Sequence, residues 1–142
     1  MRRERIPPAL RRHVIARAQM ACEYCLLHQD DSLTRHNVDH IIARKHRGLT
    51  ELENLALACA DCNLSKGSDI ATLDPNTGQL VRLFDPRRDT WTDHFILVMA
   101  RIEGKTALGR ATAALLQLNE PTRIQYRALL QSLGRYPRNE PS

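Results

Sequence analysis

No stretch of this chain approaches the roughly 20 apolar residues that a bilayer span requires, so a membrane-crossing helix is not expected. The opening run Met1-Arg2-Arg3-Glu4-Arg5 is basic but is not followed by the apolar core of a secretory leader, which makes the cytoplasm the expected compartment. Internal repeats, heptad arrays and low-complexity tracts are also missing, which argues against solenoids and coiled coils. Aromatic residues make up only 4% of the sequence, so Trp91, His94 and Phe95 are expected to anchor the packing of the C-terminal half. Cysteine is scarce as well, and none is left over. All four fall into two C-x-x-C pairs, Cys22 with Cys25 and Cys59 with Cys62. A chain of 142 residues suffices for one modest domain with a real core.

Lysine and arginine outnumber aspartate and glutamate by 21 to 16, a formal charge of +5. Such a surplus favours polyanionic partners, because each cation laid on a phosphate releases condensed counterions. A merely solvated basic surface would carry the same charge, so this bias gains meaning only beside a site for phosphate chemistry.

Thiols stay reduced in the cytosol, and paired cysteines at this spacing read as metal ligands. A C-x-x-C turn aims two sulfurs at one ion, and a second turn completes the tetrahedron that structural Zn²⁺ prefers. With four thiolates the shell is closed, so the ion would be structural. The alternative is a redox dithiol, for which one pair would suffice, and no βαβ pattern surrounds either pair.

Pro7-Pro8 opens a helix with Leu10, Val14, Ile15 and Ala18 on one face, while Arg11, Arg12 and Arg17 lie largely elsewhere. Residues 37–42 read as a short strand, 53–59 as a second, and Asp61–Lys66 as a short helix stopped by Gly67. Between the strands runs the basic loop Ala43-Arg44-Lys45-His46-Arg47-Gly48. Further on, Asp74–Gly78 signals a turn before a strand over 79–84, and 91–102 looks extended. Thr106 caps a helix reaching about Leu118, and a second helix after Pro121 ends at Gly134.

Phosphodiester hydrolysis needs an activated water, charge compensation on the phosphate and help for the leaving oxygen. A histidine can take the proton near neutral pH, and one divalent cation held by oxygen ligands can supply the rest. Asp39-His40 sets a carboxylate beside an imidazole, on opposite faces of a strand and thus suited to separate tasks.

These residues carry a resemblance. Val38-Asp39-His40-Ile41-Ile42, Gly48, Leu52-Glu53-Asn54-Leu55 and Cys59-Ala60-Asp61-Cys62-Asn63-Leu64-Ser65-Lys66-Gly67 resemble the zinc-containing HNH endonuclease motif across about residues 22 to 68. The resemblance implies an α+β fold with a ββα-metal, treble-clef-like core, here with an N-terminal helix and a C-terminal strand and helix extension. It makes His40 the general base and Asp39 a ligand of a catalytic Mg²⁺ or Mn²⁺. It gives Asn54 the task of bracing the loop that holds the base. Asn63 stands where many members carry a metal-binding histidine; its amide oxygen suits a hard cation, which turns the expected metal toward Mg²⁺ or Mn²⁺. Lys66, one turn beyond, is a candidate phosphate contact, as are Arg44, Lys45 and Arg47 of the loop, where a solvated basic surface is the equally plain alternative. His46 as a second acid or ligand is a weaker candidate.

In the second half, Leu83–Arg87, Trp91–Phe95, Gly109–Thr112 and Leu118-Asn119 are similar to the extension of small stand-alone bacterial HNH proteins. Its two amphipathic helices need a partner surface, either the core or a second subunit. Arg87, Arg88 and Arg110 are candidates to extend a phosphate-binding surface or simply to pack. The division expected is a helix in 1–20, a zinc-bound core in 21–73, a hairpin and helical extension in 74–135, and a flexible tail in 136–142. The expected function is metal-dependent hydrolysis of nucleic acid, DNA ahead of RNA, by a monomer or homodimer. The rival reading is a non-catalytic zinc-stabilised nucleic-acid-binding module, which would have no need of Asp39, His40 and Asn63 together.

Overall fold

The computed structural model describes residues 5–141; the basic run at 1–4 and Ser142 lie outside the described residues. Among the described residues the fold mixes five α-helices with three two-stranded antiparallel sheets. Helix α1 spans Pro8–Arg17, with proline in its first turn, where no hydrogen-bond donor is missed. Strand β1 (Asn37–His40) pairs with β2 (Leu55–Ala58), Val38 facing Leu57 and His40 facing Leu55.

Strand β2 organises the molecule. All four of its residues are buried, as a strand covered on both faces must be. Its two-residue period divides the interior. Leu55 and Leu57 join Val14 in one cluster, with Leu10, Ile15 and Val38 packed around it, so α1 closes that side. Ala56 and Ala58 belong to the other cluster, together with the four cysteines, Tyr24, Phe84, Trp91, Phe95, Ile102, Leu116 and Leu118. Methyl side chains at 56 and 58 leave room there for sulfur and aromatic rings.

Helix α2 (Ala60–Lys66) follows β2 at once, and Cys59 caps it by accepting from the Cys62 amide at 3.4 Å. Gly67, at φ +52°, turns the chain out of the helix. Strand β3 (Ala71–Leu73), which the sequence reading left unassigned, pairs with β4 (Leu80–Arg82) around the turn at 74–78. At three residues it is too short for a strand period to be read from the sequence. The segment 91–102, read as extended, begins with one turn of helix, α3 (Trp91–His94), before the hairpin of β5 (Phe95–Val98) and β6 (Arg101–Gly104).

Helix α4 (Ala107–Leu115) is capped by Thr106, whose hydroxyl accepts from the Gly109 amide at 3.0 Å. It lies so close to the β5–β6 hairpin that a Cβ on Gly109 would stand 2.0 Å from the His94 carbonyl oxygen, and one on Gly104 2.3 Å from the Arg110 nitrogen. Thr112, fully buried, donates to the Leu108 carbonyl and accepts from the Phe84 amide. Helix α5 (Pro121–Ser132) then returns over the cysteine cluster, so the helical extension covers the core of its own chain.

Two findings revise the expected periphery. Residues 136–138, placed at the start of the flexible tail, are anchored, as is Arg135 just before them. The Tyr136 hydroxyl donates to the Cys25 carbonyl at 2.6 Å, and Arg135 and Arg138 both pair with the buried Asp31. Arg87 and Arg110, candidate phosphate contacts, are engaged inside the protein, Arg87 with Glu23 and Arg110 with Asp74.

Asp74 ties the β3–β4 turn to α4. Its fully buried carboxylate accepts from Arg110 Nε at 3.0 Å and Nη2 at 2.8 Å, and from Asn76 and Thr77. The Arg110 hydrogen bonds hold it well below the usual carboxylate range, against the opposing effect of burial. A folded-state pKa below the unfolded value of about 3.9 contributes stability that is full above that value and is lost progressively as pH falls from it toward the folded-state pKa. Urea unfolding followed from pH 6 to pH 3 is therefore expected to weaken below about pH 4, and Asp74→Asn is expected to flatten that dependence while lowering stability at pH 7.

Candidate metal centre and active site

The sulfurs of Cys22, Cys25, Cys59 and Cys62 all lie within 4.8 Å of one another and are buried. Two tight turns present them, each closed by an amide on a sulfur: Cys25 N to Cys22 Sγ and Cys62 N to Cys59 Sγ, both 3.4 Å. Cys25 Sγ and Cys59 Sγ are 3.6 Å apart, close to the edge of about 3.8 Å of a tetrahedron with 2.3 Å zinc–sulfur bonds. Burial pushes the Cys22 and Cys62 thiols up, whereas hydrogen bonds from the other cysteines draw Cys25 down. Full ionisation of four buried sulfurs requires a cation among them. Soft donors, tetrahedral spacing and amide support together make a site that could hold a structural zinc ion.

The surrounding shell pins this cluster to the rest of the chain. Trp91 Nε1 donates to the Tyr24 carbonyl at 2.9 Å, between the first two cysteines. Glu23 accepts from the Leu57 amide at 2.8 Å and pairs with Arg87, fixing the first knuckle to β2. From α5, Arg123 Nη2 donates to Cys62 Sγ at 3.1 Å, while its Nη1 caps the end of α4 on the Leu116 and Gln117 carbonyls. Arg123 is 61 residues from Cys62, and no local pattern in the sequence marks it.

Beside the cluster, β1 presents Asp39 and His40. His40 shares a face with Val38, opposite Leu55, and its Nε2 lies 2.8 Å from the Thr50 hydroxyl. Thr50 was not singled out from the sequence, because its partner is fixed only by how the 43–53 loop folds. Asn54 folds that loop. Its Oδ1 accepts from the Ile42 amide, and its Nδ2 donates to the Ile42 and Leu49 carbonyls, each at 2.9 Å. Gly48 passes beneath, where a Cβ would stand 1.7 Å from the Ile42 carbonyl oxygen, so only glycine fits. Arg44, Lys45, His46 and Arg47 are exposed on the same loop, and Arg44 reaches back to the Gly48 carbonyl at 3.0 Å.

Asp39 points to the other face, toward α2. Lys66, expected among the phosphate-contacting cations, is turned inward instead. It lies four residues after Cys62, on the same buried face of α2. Its Nζ lies 2.9 Å from Asp39 Oδ2, off the hydrogen-bond axis, and donates to the His40 carbonyl at 3.2 Å. The two side chains are only 3% and 11% exposed. Burial raises the Asp39 carboxyl, and the Lys66 ammonium pulls it back down in part. Asn63, one turn before Lys66, is half-buried and its side chain makes no hydrogen bond among the described residues. The Asp39 carboxylate and the Asn63 amide are both oxygen donors of the hard type.

Three further histidines make structural contacts: His36 Nε2 pairs with the Leu27 carbonyl at 2.8 Å, His28 caps a turn, and His94 meets Thr106. A cleft of about 400 Å³ lined by Arg17, Glu23, Arg87 and Trp91 includes neither Asp39 nor His40.

A knuckled β-hairpin followed at once by a short helix, with an acid and a histidine on its first strand, is the architecture into which the comparisons fall. Residues 22–69 match the HNH endonuclease family, and that match contains all four cysteines, Asp39, His40, Asn54 and Asn63. No curated protein and no solved structure matches the chain. Among the described residues no helix is long and apolar enough to cross a membrane.

Arg123→Met is expected to speed zinc loss to a chelator by about tenfold, read by a colorimetric zinc assay, since outer hydrogen bonds hold ligating groups in place. Asn54→Ala strands the Ile42 amide and is expected to cost about 2 kcal/mol in urea unfolding, with faster hydrogen exchange at Ile42 and unchanged zinc content.

Proposed function

We propose that this protein is an endonuclease that hydrolyses phosphodiester bonds of nucleic acid, DNA in preference to RNA, with one divalent cation and His40 as general base. The observation that carries the reading is the juxtaposition of Asp39 and His40 on a strand packed against the helix bearing Asn63, within the HNH match. In this reading the hairpin and α2 form a ββα-metal core. A bound Mg²⁺ or Mn²⁺ would offset charge on the phosphate and on the leaving oxygen.

The chain's own groups supply the remainder. Thr50 on Nε2 holds the imidazole in one orientation, and a neutral imidazole near pH 7 can accept a proton from water. Asn54 keeps the loop closed so that Thr50 stays in place. Asp39 and Asn63 would hold the cation. Exposed Lys45 and Arg47 give the loop a surface suited to phosphates on either side of the scissile bond. The net charge of +5 supports the same partner.

A second reading, a zinc-stabilised binding module without turnover, is favoured by one observation: the buried Lys66 already pairs with Asp39. Cleavage of supercoiled plasmid separates the two. Nicking with Mg²⁺ or Mn²⁺ is expected, with a loss of at least about a hundredfold in His40→Ala at unchanged zinc content. A folded, zinc-loaded wild type that binds DNA yet leaves DNA and RNA intact with every divalent metal would establish the binding module.

A further inference from the structure

The proposed catalytic pocket carries no net charge. Asp39 contributes one negative charge, Lys66 one positive charge 2.9 Å away, and Asn63 none. Lys66 and His40 both act on Asp39 and neither attracts a cation, while the buried Tyr24, which also faces the Asp39 charge, has its hydroxyl pushed up by burial and adds no negative charge. The ammonium cannot swing into solvent at small cost, because Lys66 is 2% exposed and also donates to the His40 carbonyl at 3.2 Å. A divalent cation entering here meets a like charge in a partly dehydrated site, where Coulomb repulsion is only weakly damped.

From this pairing we infer that Lys66 makes binding of the catalytic cation conditional on nucleic acid: the pocket holds Mg²⁺ or Mn²⁺ weakly alone and firmly only when a substrate phosphate supplies the missing negative charge. The inference rests on the nuclease reading and assigns Lys66 as a positioning residue rather than a surface phosphate contact. Mg²⁺ sites commonly use one or two carboxylates completed by substrate phosphates, and here the single carboxylate is already neutralised. Coupling of this kind is reciprocal, so the metal strengthens DNA binding by the same factor that DNA strengthens metal binding. A cation that settles only beside a bound backbone would leave the unengaged enzyme without activated water.

The test is Mn²⁺ binding followed by electron paramagnetic resonance, in the full-length, zinc-loaded His40→Ala background so that DNA is not consumed. Each titration is run with and without a duplex oligonucleotide, and Asp39→Ala in the same background subtracts Mn²⁺ held by the DNA itself. The expected result is Asp39-dependent binding that tightens by about tenfold or more when duplex is added. Lys66→Gln is expected to raise Mn²⁺ affinity without DNA by a similar factor and to shrink the effect of DNA. The duplex titration needs no change at Lys66, so the inference can be tested even if Lys66→Gln does not fold. Asp39-dependent Mn²⁺ binding that is equally tight with and without duplex overturns the inference and leaves the nuclease reading intact. No Asp39-dependent Mn²⁺ binding under either condition overturns the inference together with the assigned metal ligands. Plasmid nicking by wild type, lost in His40→Ala, reports separately on the nuclease reading.

Discussion

The convergence of four sulfurs brings two segments 34 residues apart into one small volume, and the larger of the two apolar clusters is built around it. The loop between Cys25 and Cys59 would otherwise have to close on the strength of a four-residue hairpin, which is marginal in water. A cation shared by both knuckles would close it, and binding free energy at such a site is folding free energy. Once the knuckles are joined, β2 has a fixed place between α1 and the sulfur cluster. The C-terminal elements have a surface to cover. Arg123, Tyr136 and Trp91 each reach back to a knuckle from a different element.

That arrangement makes the extension part of the site's support. Phe84, Phe95, Ile102, Leu116 and Leu118 share one apolar cluster with the cysteines, so the segment outside the family match is continuous with the segment inside it. Three arginines, among them the phosphate-contact candidates Arg87 and Arg110, are engaged internally. Arg17 binds the Leu52 and Leu55 carbonyls, Arg87 binds Glu23, and Arg110 binds Asp74. The surface charge available to a polyanion is correspondingly concentrated in fewer places, among them the 44–47 loop.

The candidate site shows the same division at the scale of single residues. The cysteine pairs could be read from spacing alone, because a C-x-x-C turn geometrically presents two sulfurs to one ion. The hairpin, the short helix after it and the Thr106 cap follow from local patterning, and all three are present. Asn54 could be singled out, but its three hydrogen bonds to Ile42 and Leu49 depend on how the loop returns. Thr50 carried no signal, since a threonine in a polar loop looks alike whether or not an imidazole faces it. Lys66 was misjudged for a related reason. A lysine near a helix end is usually solvated, and only the packing of α2 on β1 turns this one inward against Asp39.

Residues near one another along the chain are therefore enough to specify knuckle spacing, strand and helix periodicity, caps, and the acid–histidine pair. Tertiary structure alone decided which charges meet. Arg123 on Cys62, Arg110 on Asp74, Arg138 on Asp31 and Lys66 on Asp39 join residues from 27 to 107 positions apart. A charge has no preferred partner until the backbone brings one within a few ångströms and removes the water between them. The role of each basic residue, solvated, structural or poised over a phosphate, is set at that step.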